Sequence, residues 1–217
     1  MKKLVIKIAK SLKQNLSFLM VLLALFASRS SLADWYIVPT GSMQPTIVEG
    51  DRILVNKMAY RLELPFTNMT VFDIDKPKRG DIVTLNSSAA DTRLVKRVIG
   101  LPGDMIAMRD NKLVVNGRMV SYQNTASSHV LIEQLAEKSH AVQLMPVAEP
   151  MDNFDAVRVP PGQFLLLGDN RNNSADSRVF GFFSEHEIQG KAVRVLVSLD
   201  PDNSYLPRKT RFLKPLI

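Results

Sequence analysis

The chain has 217 residues, 46% of them hydrophobic and 23% charged, which suits one substantial globular body with room for an appendage. It contains no cysteine, which excludes disulfides, thiol catalysis and a cysteine-ligated zinc site. The net charge of +7 sits at the two ends, in Lys2, Lys3, Lys7, Lys10 and Lys13 and in Arg208, Lys209, Arg211 and Lys214; the body between them is slightly acidic, which argues against a nucleic-acid-binding face.

The lysines at the start are followed by an uncharged apolar run over residues 16–27. Positive charge before that run and little after it keeps the amino terminus in the cytoplasm and sends the rest across. Two readings of residues 1–33 stand side by side. The run is shorter than the roughly 17–25 residues of a span and matches a signal-peptide core, with Ser31-Leu32-Ala33 as a small-x-small cleavage site. Val5, Ile6, Ile8 and Ala9 extend it backwards, however, and Lys7, Lys10 and Lys13 can snorkel to headgroups, as in a retained hydrophobic anchor. Either way the body lies outside the cytoplasm, and Trp35 and Tyr36 suit the outer membrane interface.

Beyond residue 35 the pattern is mostly β. Short Val-, Ile- and Leu-rich runs fall at 36–38, 52–56, 81–85, 93–99, 105–108, 112–120, 156–159, 164–167 and 191–199. Asp110-Asn111 and Asn116-Gly117 read as hairpin turns, and Ser184-Glu185-His186-Glu187 as a capping box opening one helical turn. Residues 121–155 are polar and without a strong period, and 130–137 fits helix or strand. The expected organisation is a β core over 34–104 and 156–217, interrupted by a smaller inserted domain over 105–155.

Three segments combine turn residues with reactive side chains. In Pro39-Thr40-Gly41-Ser42-Met43-Gln44-Pro45-Thr46, Gly41 allows an unusual backbone angle or close approach, and Ser42 is presented at a bend after a strand. Taken alone, such a serine is usually a turn-former. In residues 93–104, Lys96 shares a strand face with Leu94 and Val98, so burial can lower its pKa and leave an amine able to take a proton. Taken alone, its stem simply lies on apolar surface. Residues 168–178, Gly-Asp-Asn-Arg-Asn-Asn-Ser-Ala-Asp-Ser-Arg, are dense in hydrogen-bonding groups; Arg171 at a ligand position and a missing glycine exclude a calcium loop. His129, His140 and His186 belong to no triad motif and read as surface or packing residues. No metal or cofactor is expected.

In this order the three segments resemble bacterial type I signal peptidases, whose boxes run P-S-G-S-M-x-P-T, G-D-x-x-x-V-x-K, K-R-x-x-G-L-P-G-D and G-D-N-R-x-N-S-x-D-S-R. They are matched here at 39–46, at Gly50, Asp51, Val55 and Lys57, at 96–104 and at 168–178. The resemblance implies a mostly β catalytic core with an inserted β-rich domain, preceded by one N-terminal hydrophobic helix. It implies a membrane-bound serine endopeptidase at the outer face of the bacterial inner membrane, single-pass, acting on exported preproteins through their signal peptides, with membrane lipid as its other partner and no nucleic acid. Carried over residue by residue, Ser42 is the nucleophile and Lys96 the general base of an acyl-enzyme mechanism. The Ser42 N–H and Thr40 hydroxyl form the oxyanion hole, Ser174 orients the lysine, and Asp176 and Arg178 are a supporting ion pair. Tyr36, Val38, Pro39, Met43, Ile47 and Val95 match positions lining pockets for small residues at −1 and −3.

Thr40 replaces the commoner serine, Leu94 a frequent tyrosine and Asn172 a frequent aspartate; none removes the catalytic pair. A non-catalytic module that holds signal peptides by strand addition is disfavoured by the intact Ser42 and Lys96. A self-cleaving repressor of the SOS type would need a DNA-binding domain where this chain has an export segment.

Overall fold

The computed structural model describes residues 13–67, 69–145 and 153–216. α1 (Leu16–Ser31) is the apolar run carried one turn further, ending where Arg29, Ser30 and Ser31 replace the leucines. Its 16 residues extend about 24 Å, short of the roughly 30 Å of bilayer hydrocarbon. No helix among the described residues is long and apolar enough to cross a membrane. Residues 1–12 of the expected anchor segment lie outside the described residues.

The strands begin with β1 (Ala33–Ile37), β2 (Asp51–Asn56), the short pair β3 (Arg61–Glu63) and β4 (Thr70–Asp73), β5 (Ile82–Ser87) and β6 (Thr92–Gly100). Next come β7 (Met105–Arg109), β8 (Lys112–Val115), β9 (Arg118–Met119), β10 (Ser121–Asn124), β11 (Val130–Leu135), β12 (Lys138–Gln143), β13 (Phe154–Arg158) and β14 (Gln163–Leu167). The short α2 (Ser177–Phe180) precedes β15 (Phe183–Ser184), the long β16 (Ile188–Asp200) and β17 (Leu206–Pro207). The fold is mostly β, as the turn-punctuated sequence requires. Ser184 and Glu187 do form a capping box, on a single 3₁₀ turn between β15 and β16.

Among the described residues the large sheet has eight strands in the order β1-β2-β16-β5-β6-β14-β15, with β17 also on β16, and every pair is antiparallel. β2 buries Asp51, Ile53 and Val55 in alternation, the period-two signature of a strand with one core face. β16 reaches across β2 and β5 because bulges break its register on both sides and bend it. One core cluster gathers Val38, Met43, Ile47, Ile53, Val55 and Val195. A second gathers Val83, Leu85, Val98, Phe164, Leu166 and Ile188. β6 runs between them, with Val95 packed on the first and Leu94 on the second.

The segment from β7 to β13 makes two smaller sheets, β13-β7-β8-β9 and β10-β11-β12. Asp110, Asn111, Asn116 and Gly117 all have positive φ (49°, 61°, 52° and 78°), as tight hairpins need. The ambiguous 130–137 stretch resolves as strand β11, paired on both sides. β13 returns alongside β7 (Val157 opposite Ile106) and so straddles residue 155, where the inserted domain was expected to end. A third core cluster joins Ile106, Met108, Leu113 and Leu135 to Leu165 and Leu167 of β14, so these small sheets share a core with the large one.

Candidate active site

Val38 leaves β1 and is clipped back to β2: its N–H donates to Asp51 O (2.9 Å) and its carbonyl accepts from Gly50 (3.1 Å). The loop between is a run of turns, closed by Gln44 N–H to Gly41 O (3.0 Å) and Ile47 N–H to Met43 O (2.9 Å). Met43 and Ile47 plug the first core cluster, which anchors the loop on both sides of the half-buried Gln44–Thr46 and sets Ser42 just before the first anchor. Gly41 does not take the positive φ that its sequence context suggested. Its role is close approach, since a Cβ there would stand 3.0 Å from the Gln44 side chain.

Lys96 comes from the middle of β6 and is only 2% exposed. Its Nζ lies 2.9 Å from Ser42 Oγ. Burial pulls the amine down from 10.5 to about 8, against the opposing field of Asp176. A serine hydroxyl therefore faces an amine that loses its proton within reach of neutral pH, an arrangement able to activate a nucleophile. The next residue, Arg97, points to the other side of the strand and grips the buried Asp169 carboxylate with Nε and Nη2 at 2.8 and 2.7 Å.

The loop after β14 closes over the pair. Gly168 is required there: a Cβ would meet Ser174 Oγ at 2.3 Å and Ser42 O at 2.4 Å. Asn170 holds the Gly41–Ser42 segment, its N–H donating to Ser42 O (3.1 Å) and its Nδ2 to Gly41 O (3.1 Å). Asp176 caps α2, accepts from Gly168 N–H (3.0 Å) and is paired with Arg178 (2.8 Å). Burial pushes the Asp176 carboxyl up, but Arg178 and the Gly168 N–H outweigh it and keep it below the usual range. Ser174 is buried against Gly168 and beside Asp176, and no hydrogen bond joins its hydroxyl to Lys96.

A cleft of about 320 Å³ opens on Ser42 and Lys96. Of the six residues expected to shape it, Val38, Pro39, Met43 and Val95 line it. Tyr36 and Ile47 do not: Ile47 is fully buried, and the Arg93 guanidinium lies over Tyr36, 4.1 Å from the tyrosine ring centre. Thr40 is exposed on the rim, and neither its hydroxyl nor the Ser42 N–H is engaged by another described residue. Leu94, noted in the sequence where a tyrosine is frequent, also lines the cleft, and Thr92, Arg93, Asn173 and Ala175, which were not singled out from sequence, complete the lining. β14 pairs with β6 only from Arg97 onward, so the Thr92–Lys96 stretch of β6 has an unpaired edge at the cleft.

Sequence reasoning also passed over a buried polar cluster behind the loop. Glu133 of β11 and His140 of β12 meet Arg171 and Asp169 there. One signal was available, because Leu131, Glu133 and Leu135 share a strand face, and a carboxylate on an apolar face demands a buried partner. No group of residues suited to a metal ion occurs among the described residues.

A sequence model of the family described as signal peptidase, peptidase S26, matches residues 11–197. Signal peptidase I of Pseudomonas fluorescens is 35% identical over 219 residues, covering 90% of this chain and 76% of that protein. Signal peptidase I of Pseudomonas aeruginosa is 34% identical over 215 residues, with the same coverage of 90% and 76%. A crystal structure of a signal peptidase I from Enterococcus faecalis is 29% identical and covers 54% of this chain and 97% of that one, with a TM-score of 0.37.

Proposed function

The chain belongs to the signal peptidase family, peptidase S26, and from that premise we propose that it is a serine endopeptidase that removes N-terminal signal peptides from exported preproteins, with Ser42 as nucleophile and Lys96 as general base. The observation that carries the reading is the 2.9 Å contact between Lys96 Nζ and Ser42 Oγ in a buried site. With Lys96 neutral, the Ser42 O–H donates to the amine, and Oγ attacks the carbonyl before the scissile bond as its proton passes to Nζ. The Ser42 N–H and Thr40 hydroxyl stabilise the oxyanion; one such donor is worth roughly 2.7–4 kcal/mol in known cases. Lys96 then protonates the leaving amine and, neutral again, activates the water that releases the acyl-enzyme.

The substrate adds as a strand along the open edge of β6, main chain to main chain. Val38, Met43 and Val95 give that strand apolar contacts suited to small residues at −1 and −3. Asp176 and Arg178 act structurally, by fixing the loop that carries Ser174. A membrane surface belongs to the same proposal, as the setting in which the enzyme meets exported chains. α1 exposes Phe18, Met20, Leu23 and Phe26, and the β3–β4 hairpin exposes Phe66, Val71 and Phe72; that much apolar surface is better matched to lipid than to water.

The test is cleavage of a preprotein in detergent by the wild type, Ser42→Ala and Lys96→Ala. Both variants should lose cleavage entirely while keeping the wild-type circular dichroism spectrum. Full activity in either variant would rule out the proposed pair.

A further inference from the structure

The β10-β11-β12 sheet meets the catalytic loop at a buried ion pair. The side chains of Glu133 and Arg171 are both 0% exposed, and Arg171 Nη2 lies 2.7 Å from each Glu133 carboxylate oxygen. Among the described residues Glu133 is the one carboxylate bonded to Arg171. Glu133 also accepts a hydrogen bond from the Tyr122 hydroxyl, and His140 Nε2 lies 3.3 Å from it. Burial opposes the Glu133 charge, but Arg171, His140 and Tyr122 overcome it and hold the carboxyl down at about 2.

A buried guanidinium whose only counter-charge is removed does not stay in place, because the low-dielectric interior penalises the bare cation. It moves toward water and takes the adjoining backbone with it. The adjoining residue is Asn170, whose N–H and Nδ2 hold the Ser42 and Gly41 carbonyls at 3.1 Å each. The same loop is docked on β12 through Gln143 N–H to Asp169 O (2.8 Å).

Resting on the reading of Ser42 as nucleophile, we propose that Glu133 is a positioning residue for that serine: it fixes Arg171, and through Asn170 keeps the Gly41–Ser42 backbone set so that Oγ stays aligned on Lys96. Of the substrate-contacting residues, Val95 on β6 and Val38 after β1 lie outside this chain of contacts, and Met43, next to Ser42, is anchored separately in the first core cluster. The effect therefore falls on turnover and spares substrate binding.

The experiment compares wild type, Ser42→Ala, Glu133→Gln, Asn170→Ala and the Glu133→Gln/Asn170→Ala double variant in steady-state cleavage of a preprotein in detergent. Assays run well below each variant's melting temperature. Glu133→Gln should lower kcat by about tenfold to a hundredfold, the scale of a sub-ångström to ångström misplacement, with KM within about twofold of wild type. The double variant should be no slower than Asn170→Ala alone, since both changes act on one contact. Tyr122→Phe, which removes one hydrogen bond from Glu133, should lower kcat in the same sense and carries the test if Glu133→Gln does not fold. Wild-type cleavage with an unchanged kcat in these variants, a rise in KM at constant kcat, or multiplicative losses in the double variant would each overturn the positioning role alone. A wild type that does not cleave, or a Ser42→Ala that does, would overturn the reading beneath it as well.

Discussion

A lysine that is 2% exposed carries a charge its surroundings disfavour, and two consequences follow for Lys96. The first is kinetic. If the neutral amine is the working form, kcat/KM rises with pH and levels off above about 8, falling about tenfold per unit below it. A pH profile flat between 6 and 9 would contradict that role. The second is thermodynamic. The folded state binds this proton less well than the unfolded chain, so stability rises with pH between about 8 and 10.5. Below that window the full penalty, about 3 kcal/mol for the shift, is present. Lys96→Met should therefore raise the melting temperature at pH 7 while abolishing cleavage. Gly168 gives the opposite kind of test. In Gly168→Ala the new methyl meets the Ser42 carbonyl, so single-turnover cleavage should slow by about a hundredfold and urea denaturation should show a loss of about 1–3 kcal/mol. Ser42 and Lys96 were legible only through the motifs around them, because serine in a turn and lysine on a strand are ordinary. Asn170 was not legible, and Glu133 was legible only as a carboxylate on an apolar strand face, since their partners are remote in sequence and become neighbours only when the loop and the small sheet dock.

At the scale of elements, legibility followed burial. β2 and β14 were read close to their true limits because core contact imposes apolar residues on them. The β3–β4 hairpin was missed: all four β4 residues are exposed, so no alternation marks it. β10 and β12 were missed too, because β10 is polar with only Tyr122 partly buried and β12 buries only His140 and Val142 among mostly polar neighbours. The side-chain pair that joins β6 to the loop after β14 is Arg97–Asp169, both side chains at 1% exposure or less. Arg97→Met strands the carboxylate and should cost about 3–5 kcal/mol in urea denaturation. Adding Asp169→Leu removes the stranded charge and should return much of that loss. Equal stability of the single and double variants would show that the pair contributes little to holding β6 against the loop.

For the molecule as a whole, α1 touches the β body through few bonds, chiefly Arg29 to Asp34 (2.8 Å), Lys57 to the Ser30 carbonyl and Phe66 N–H to Ser30 Oγ (2.8 Å). A chain lacking residues 1–30 should accordingly melt within about 4 °C of the full chain while binding less to anionic lipid vesicles, read by co-sedimentation. The way α1 passes into β1 has a geometric result. Leu32 alone separates the helix from the strand, and β1 spans five residues before the Ser42 loop begins. A strand of that length covers about 17 Å and, being hydrogen-bonded to β2 along its length, cannot stretch. β1 is thus a fixed stand-off between the helix end and the cleft. A substrate whose own apolar stretch ran beside α1 would be cut at a set distance from where that stretch stops, so the site of cleavage would be measured by a strand as well as read by a pocket.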